Sequence, residues 1–251
     1  EKSASLEALR LACLRALRFR EKKQDALTLR RPGIVGVGPA MERTLRQLGR
    51  AARSQANVLL VGETGTGKEL FARAIHDNSS RSAAEFVIVD CAGLQESIMA
   101  SELFGHRRGA FTGALGNKPG LLARAHGGTL FLDEISELSL EMQKSFLRLL
   151  ESHTYRPLGD NREIPVDFRL VSASNRELSA MVAAGTFRAD LFYRIRAVTI
   201  APPPLRDLTE DLPEIAEYHL TRICRRGKLP LAGLSAELLE LFSGYDWPGN
   251  V

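Results

Sequence analysis

Asn57-Val58-Leu59-Leu60-Val61-Gly62-Glu63-Thr64-Gly65-Thr66-Gly67-Lys68-Glu69 is the stretch that decides how this chain folds. Its first five residues are a short continuous apolar run, the pattern of a parallel strand buried on both faces. The next seven place three glycines and a lysine at the spacing of a phosphate-binding loop, and a helical pattern then runs from about Lys68 to Asp77. Strand, glycine turn and helix in that order let backbone N–H groups converge on phosphate oxygens at a helix N-terminus, with Lys68 reaching the β- and γ-phosphates. The general pattern closes on Ser or Thr, whose hydroxyl ligates Mg2+; here Glu69 holds that position.

Outward from this loop, apolar runs recur at Phe86-Val87-Ile88-Val89-Asp90, Thr129-Leu130-Phe131-Leu132-Asp133, Phe168-Arg169-Leu170-Val171-Ser172 and Ala197-Val198-Thr199-Ile200. Helical patterns, including residues 140–151, lie between most of them. Strands alternating with helices predict an α/β fold, a parallel sheet covered on both faces. Pro202-Pro203-Pro204 stops the alternation, and two helical segments follow, roughly 208–226 and 235–243. They read as the start of a small helical subdomain. The expected division is an N-terminal helix and linker over 1–32, an α/β core over 33–204 and the helical subdomain over 205–251.

The linker helix is read over residues 4–24, where Leu6, Leu9, Cys13 and Leu17 recur at helical spacing. It packs on its own domain or pairs with a second copy. Residues 1–53 carry 13 Lys/Arg against 5 Asp/Glu, and the remainder 21 against 25. A basic leading segment suits nucleic-acid contact or a solvated helix face, and the second is favoured because no recognition motif accompanies it. No apolar run approaches the roughly 18–20 residues that span a bilayer, and no signal-peptide pattern is present. That predicts a cytoplasmic protein without a membrane partner. Cys13, Cys91 and Cys224 fit no metal-ligand spacing and read as reduced thiols.

The run ending in Asp133-Glu134 places two acids after a strand. The first carboxylate can hold Mg2+, directly or through water, and the second can polarise an attacking water. A helix cap is the plainer reading of such a pair, but Lys68 upstream favours nucleotide hydrolysis. Asn175 follows the fourth strand, where it either orients water near a γ-phosphate or forms a turn. Arg188 and Arg194 stand six apart on a predicted helix and suit transition-state charge, or a surface bridge to Asp190. Gly109-Ala110-Phe111-Thr112-Gly113-Ala114 encloses an aromatic-hydroxyl pair between glycines, as in a mobile loop that presses an apolar tip onto a partner.

Together with Glu102-Leu103-Phe104-Gly105-His106 and Asp246-Trp247-Pro248-Gly249-Asn250-Val251, these motifs resemble the AAA+ domain of bacterial enhancer-binding proteins, the NtrC-like activators of sigma-54 RNA polymerase. The resemblance covers about residues 33–251 and implies an AAA+ P-loop NTPase three-layer α/β sandwich. Lys68-Glu69 matches the family's own phosphate loop, so Glu69 is no anomaly. The resemblance implies that Gly62, Glu63, Thr64, Gly65, Thr66, Gly67, Lys68 and Glu69 bind ATP, that Asp133 supports Mg2+ and that Glu134 activates water. Asn175 is then the first sensor, and Arg188 and Arg194 are arginine fingers entering a neighbouring subunit's site in a hexameric or heptameric ring. The loop at 109–114 engages sigma-54 and transmits the hydrolysis cycle to the closed promoter complex, its tip exposed only in some nucleotide states. A second loop, about 158–164, flanks it.

The resemblance also implies a receiver of a two-component system upstream, with residues 4–24 holding an inactive dimer. Enhancer DNA is bound through a C-terminal helix-turn-helix that this sequence does not include, and a second-sensor arginine follows Val251. One residue departs from the pattern: Asp90 stands where an Asn usually hydrogen-bonds the catalytic Glu. Two neighbouring carboxylates raise one pKa or share a proton, so coupling between γ-phosphate and Glu134 is expected to be altered. Another AAA+ remodeller such as an unfoldase, or a nucleotide-gated scaffold that never hydrolyses, are the alternatives. The loop at 109–114 argues against the first, and intact Asp133, Glu134 and arginines against the second.

Overall fold

A computed structural model describes residues 29–93, 95–230 and 233–251. The helix expected over 4–24 lies outside the described residues. Strands β1 (Val58–Val61), β2 (Phe86–Asp90), β5 (Thr129–Asp133), β8 (Arg169–Ser174) and β9 (Val198–Ile200) form one parallel sheet. Its order is β2-β5-β8-β1-β9, so β8 is central and β1, which carries the loop, lies between β8 and β9. Two short hairpins stand outside the sheet: β3 (Gly105–His106) with β4 (Lys118–Pro119), and β6 (Thr154–Tyr155) with β7 (Ile164–Pro165).

Alternation along the strands divides the core between the two faces of the sheet. Leu59, Val87, Val89, Leu130, Leu132 and Leu170 pack with helices α3 (Glu96–Phe104), α4 (Leu121–Ala125), α5 (Leu140–Ser152), α6 (Leu178–Ala183) and α7 (Ala189–Ile195). Val58, Leu60, Phe131, Val171, Ala173 and Ile200 pack with α1 (Pro39–Ala52) and α2 (Lys68–Asp77). Strand residues on both sets are buried, which is why these strands read as unbroken apolar runs. Helix α5 starts where Ser139 accepts the Met142 N–H at 3.2 Å.

Arg169 is fully buried at the start of β8, and its guanidinium donates to Ala51 O at 2.6 Å and Ala52 O at 3.2 Å. A cation thus satisfies carbonyls at the C-terminal end of α1. Burial and then the Arg81 charge push its pKa down to about 10.

After β9, helices α8 (Leu212–Gly227) and α9 (Ala236–Ser243) form the helical segment. Asp211, just before α8, reaches back to the start of α1. Its Oδ1 accepts the N–H groups of Val37 at 2.8 Å and Gly38 at 2.7 Å. Helix α1 has Gly38 at its N-cap and Pro39 at its first turn, with no side-chain cap, and the Asp211 contact pins the chain just before it.

Candidate functional site

The phosphate loop is built where β1 ends. Gly67 in the left-handed region turns the chain into α2, whose first residue is Lys68. The Lys68 side chain is buried, and Nζ donates to Gly62 O at 3.0 Å and Glu63 O at 3.2 Å. It lies 3.7 Å from Glu134 Oε1. Thr66 Oγ1 donates to Glu63 O at 2.8 Å and closes the turn, while Glu69 points into the exposed first turn of α2. Gly65 has φ +80°, and a Cβ there would stand 2.0 Å from Gly249 O. No side chain fits that position.

Three parallel strands bring the remaining groups to the same edge. Asp133 ends β5, and Glu134 follows it with φ 50° and ψ 51°, a conformation that costs energy for any residue but glycine. Glu134 Oε2 accepts the Asn175 backbone N–H at 3.1 Å, and Asn175 Nδ2 donates to Thr64 Oγ1 at 3.2 Å. Asn175 follows β8, so one residue ties the acid of β5 to the loop of β1. Its backbone makes the first contact and its side-chain amide the second.

Asp133 Oδ1 accepts the Glu134 N–H at 3.1 Å. Burial raises the Asp133 pKa; that hydrogen bond and Lys68 oppose the rise, and Asp90 adds to it. Asp90 ends β2 directly opposite Asp133, and its Oδ1 accepts the Ala92 N–H at 2.8 Å. Parallel register aligns the two strand ends, so Asp90 acts on Asp133.

Beside the loop lies a cavity of about 250 Å3, lined among others by Ile34, Val35, Met41, Leu70, Ile215 and His219. Arg31 Nη1 donates to Ile34 O and Gly36 O, both at 2.9 Å, and fixes the strap that forms one wall. The other wall is α8, where burial and the neighbouring Arg222 push the His219 pKa down. An apolar cavity continuous with a glycine-rich phosphate loop suits a nucleoside attached to phosphates.

Arg188 and Arg194 do not join this cluster within the chain. Arg188 donates to both oxygens of Asp190, at 3.1 and 2.7 Å, and Arg194 Nη2 donates to Leu150 O at 3.1 Å. Only Arg194 lies on α7. Arg188 is its extended N-cap residue, held out of the helix by a hydrogen bond from its N–H to Gln143 Oε1 at 2.8 Å.

The six residues at 109–114 sit at the end of the β3–β4 hairpin. Gly109 N–H donates to Ala114 O at 2.9 Å and closes the loop, leaving Phe111 45% exposed and Thr112 exposed. The Phe111 ring meets His106 edge-on, with centroids 5.0 Å apart. At the base the strands cross so closely that a Cβ on Gly120 would lie 2.4 Å from Leu103 O and Gly105 N. The flanking loop at 158–164 is bound to it: Arg107 N–H donates to Leu158 O at 2.9 Å, and the Arg107 and Asp160 side chains pair at 2.7 Å.

Residues 34–201 match the Sigma-54 interaction domain family, and residues 206–251 match an AAA+ ATPase lid domain. The chain belongs to the sigma-54 activator family. It is 46% identical over 231 residues to the transcriptional regulatory protein ZraR of Escherichia coli K12, covering 92% of this chain and 52% of ZraR. It is 41% identical over 258 residues to the regulatory protein AtoC of the same organism, covering 100% of this chain and 56% of AtoC. NtrX from Brucella abortus, solved in complex with ATP, superposes with TM-score 0.80 at 33% identity, covering 97% of this chain and 53% of that one. The chain thus spans about half the length of the relatives it matches. The sheet order and the lid helices are those of an AAA+ P-loop NTPase.

Within this sigma-54 activator fold, two clusters escaped the sequence reading. The Glu63 carboxylate, grouped above with the nucleotide-binding loop, is committed to Arg206 and Asn250. Gln143, fully buried on α5, donates to Leu138 O at 2.8 Å and Thr186 O at 3.2 Å while accepting from Arg188. The signal for Gln143 was a lone amide between Met142 and Phe146 on an apolar helix face. Arg206 and Asn250 carried none, since each lies more than 140 residues from Glu63. Among the described residues no cluster of His, Cys, Asp and Glu is arranged to hold a metal by itself, and no helix is long and apolar enough to cross a membrane.

Proposed function

We propose that this chain is the ATP-hydrolysing motor of a sigma-54-dependent transcription activator, remodelling the closed promoter complex through the loop at 109–114. The observation that carries the reading is the convergence of Lys68, Thr64, Glu134 and Asn175 at the ends of β1, β5 and β8, joined by two hydrogen bonds and the 3.7 Å ion pair of Lys68 with Glu134. Membership of the sigma-54 activator family supports the partner, and ATP bound to the similar NtrX supports the nucleotide.

The residues fit Mg-ATP. Backbone N–H groups from Gly62 to Lys68 and the N-terminus of α2 suit the phosphates, with Lys68 released from its loop carbonyls to reach them. Asp133 would hold Mg2+, directly or through water; when bound, the ion offsets phosphate charge. Glu134 takes a proton from the attacking water, and Asn175 fixes the Glu134 carboxylate relative to Thr64. The apolar cavity by Ile34 and Val35 takes the base.

Arg188 and Arg194, bound to Asp190 and to Leu150 O rather than to Asp133 or Glu134, act in a neighbour's site, so the working site belongs to a hexameric or heptameric ring. Residues 33–204 are the ATPase core, 205–251 the lid, and 1–32 a linker able to hold an inactive dimer. Two-component control, enhancer DNA binding and cytoplasmic location belong to the whole activator. The test is mass measurement of the assembly with and without a transition-state analogue, alongside phosphate release and sigma-54 pull-down. A nucleotide-dependent ring that releases phosphate and retains sigma-54 is expected. Phosphate release without sigma-54 retention would favour another AAA+ remodeller, and no release would favour a scaffold.

A further inference from the structure

Both ends of the helical lid segment converge on one side chain of the phosphate loop. Arg206 presents a two-pronged contact to Glu63, Nη1 to Oε2 at 2.9 Å and Nη2 to Oε1 at 2.5 Å. Asn250 donates from Nδ2 to Glu63 Oε2 at 3.2 Å and to Thr64 O at 2.9 Å, while its Oδ1 accepts the Leu205 N–H at 2.8 Å. One residue further, Val251 N–H donates to Gly65 O at 3.3 Å. Lid and loop therefore touch through a fork, an amide bridge and one backbone hydrogen bond, with Glu63 at the centre.

We propose that Glu63 is a positioning residue that latches the helical lid to the phosphate loop through Arg206 and Asn250, and so sets how long a bound nucleotide is retained. The proposal rests on the nucleotide-binding reading above. A carboxylate so near phosphates would repel them unless its charge were answered, and here the lid answers it. Arg206 first, then Asn250, hold the Glu63 pKa down to about 2, so the latch carries its full charge at any working pH. The side chains of Glu63 and Arg206 are 44% and 42% exposed. Exposed pairs add little to global stability, so breaking this one frees the lid and leaves the fold intact.

The test is stopped-flow release of mant-ADP from the full chain, with the apo unfolding midpoint measured beside it. Glu63→Gln and Arg206→Gln are each expected to speed release about tenfold, since affinity changes of this kind appear mainly in off-rates. The double variant should release no faster than either single, because both remove one interaction. Asn250→Ala should move release in the same direction without changing charge. The ratios should be the same in Mg2+ and in EDTA, and apo midpoints should stay within about 2 °C. Unchanged release, additive effects in the double, or a Glu63→Gln effect that needs Mg2+ and is not shared by Arg206→Gln would overturn the latch. Failure of the unsubstituted chain to retain mant-ADP would instead overturn nucleotide binding itself, and the latch with it.

Discussion

The Asn175 backbone N–H holds Glu134 Oε2 at 3.1 Å, while the side chain of the same Asn175 holds Thr64 Oγ1 at 3.2 Å. The two contacts separate under mutation. Asn175→Ala removes the Thr64 contact and keeps the backbone donor, so Glu134 stays in place. Turnover should fall about tenfold with nucleotide affinity nearly unchanged. Glu134→Gln keeps the acceptor and loses the base, so nucleotide should still bind while turnover drops by about 10²–10⁴. Phosphate release and equilibrium nucleotide binding, measured on both variants, check this. Full turnover by Glu134→Gln would remove Glu134 from the base role.

Asp90 should show itself through Asp133. Both close their strands in register, and Asp90 adds to a rise in the Asp133 pKa that burial begins. Asp90→Asn removes that contribution, so Asp133 ionises at lower pH and the acid limb of the hydrolysis profile moves down. The linkage sign is clear. A carboxyl raised on folding favours the folded state below its ordinary pKa, and that contribution fades as pH rises from about 3.8 through the folded value. Asp90→Asn should shrink this loss. A pH–rate profile and pH-dependent melting report both effects, and identical profiles would mean Asp90 is silent.

Arg188 is paired with Asp190 in its own chain, an exposed pair that is easily exchanged. Arg188→Ala should bind nucleotide normally and lose hydrolysis. Mixing it with Lys68→Ala should restore part of the activity, because each site in a mixed ring can combine one intact loop with one intact finger. No recovery across mixing ratios would place the guanidinium in its own subunit's chemistry or outside it.

Thr112→Ala removes one hydroxyl and one methyl from an exposed loop. Phosphate release should stay within about twofold, since truncating an exposed side chain away from the cluster barely alters stability. Retention of sigma-54 in the presence of a transition-state analogue should be lost. Pull-down against the unsubstituted chain decides it; an equal yield would refute the contact.

Gln143→Leu is nearly isosteric and strands three backbone groups, a buried bond at Leu138 and part-buried ones at Thr186 and Arg188. At about 1 kcal/mol for each hydrogen bond, with more for groups left unpaired, the loss should be about 3 kcal/mol. Chemical unfolding measures it. Fingers released from this anchor should also lower hydrolysis at temperatures where the variant remains folded.

Legibility from sequence tracked locality. The strand at Val58–Val61, the glycine turn and the helix at Lys68–Asp77 are contiguous, and each repeats the pattern its own residues impose. The acids at Asp133 and Glu134 were legible for the same reason. What the sequence could not carry was the set of contacts that cross the chain. Register brought Asp90 opposite Asp133, a pairing that no local pattern announces. Arg188 was read on one helix with Arg194, yet it stands at the extended N-cap, where its N–H meets a buried amide from another helix. The hairpins at Gly105–His106 and Thr154–Tyr155 are too short to show a period of two. Glu63 looked like one more loop residue because its partners are separated from it by most of the chain.

Asp211 bears on how the lid is tied to the core. Its carboxylate is buried, two N–H groups of the strap at Val37 and Gly38 bind one oxygen, and the other oxygen has no partner. Glu63 meets Arg206 where both side chains are about half exposed. The two acids thus tie the same lid segment to the core from opposite surroundings, Asp211 on the sheltered side of the seam and Glu63 on the wetted one. Added salt should therefore weaken the contact at Glu63 far more than the contact at Asp211.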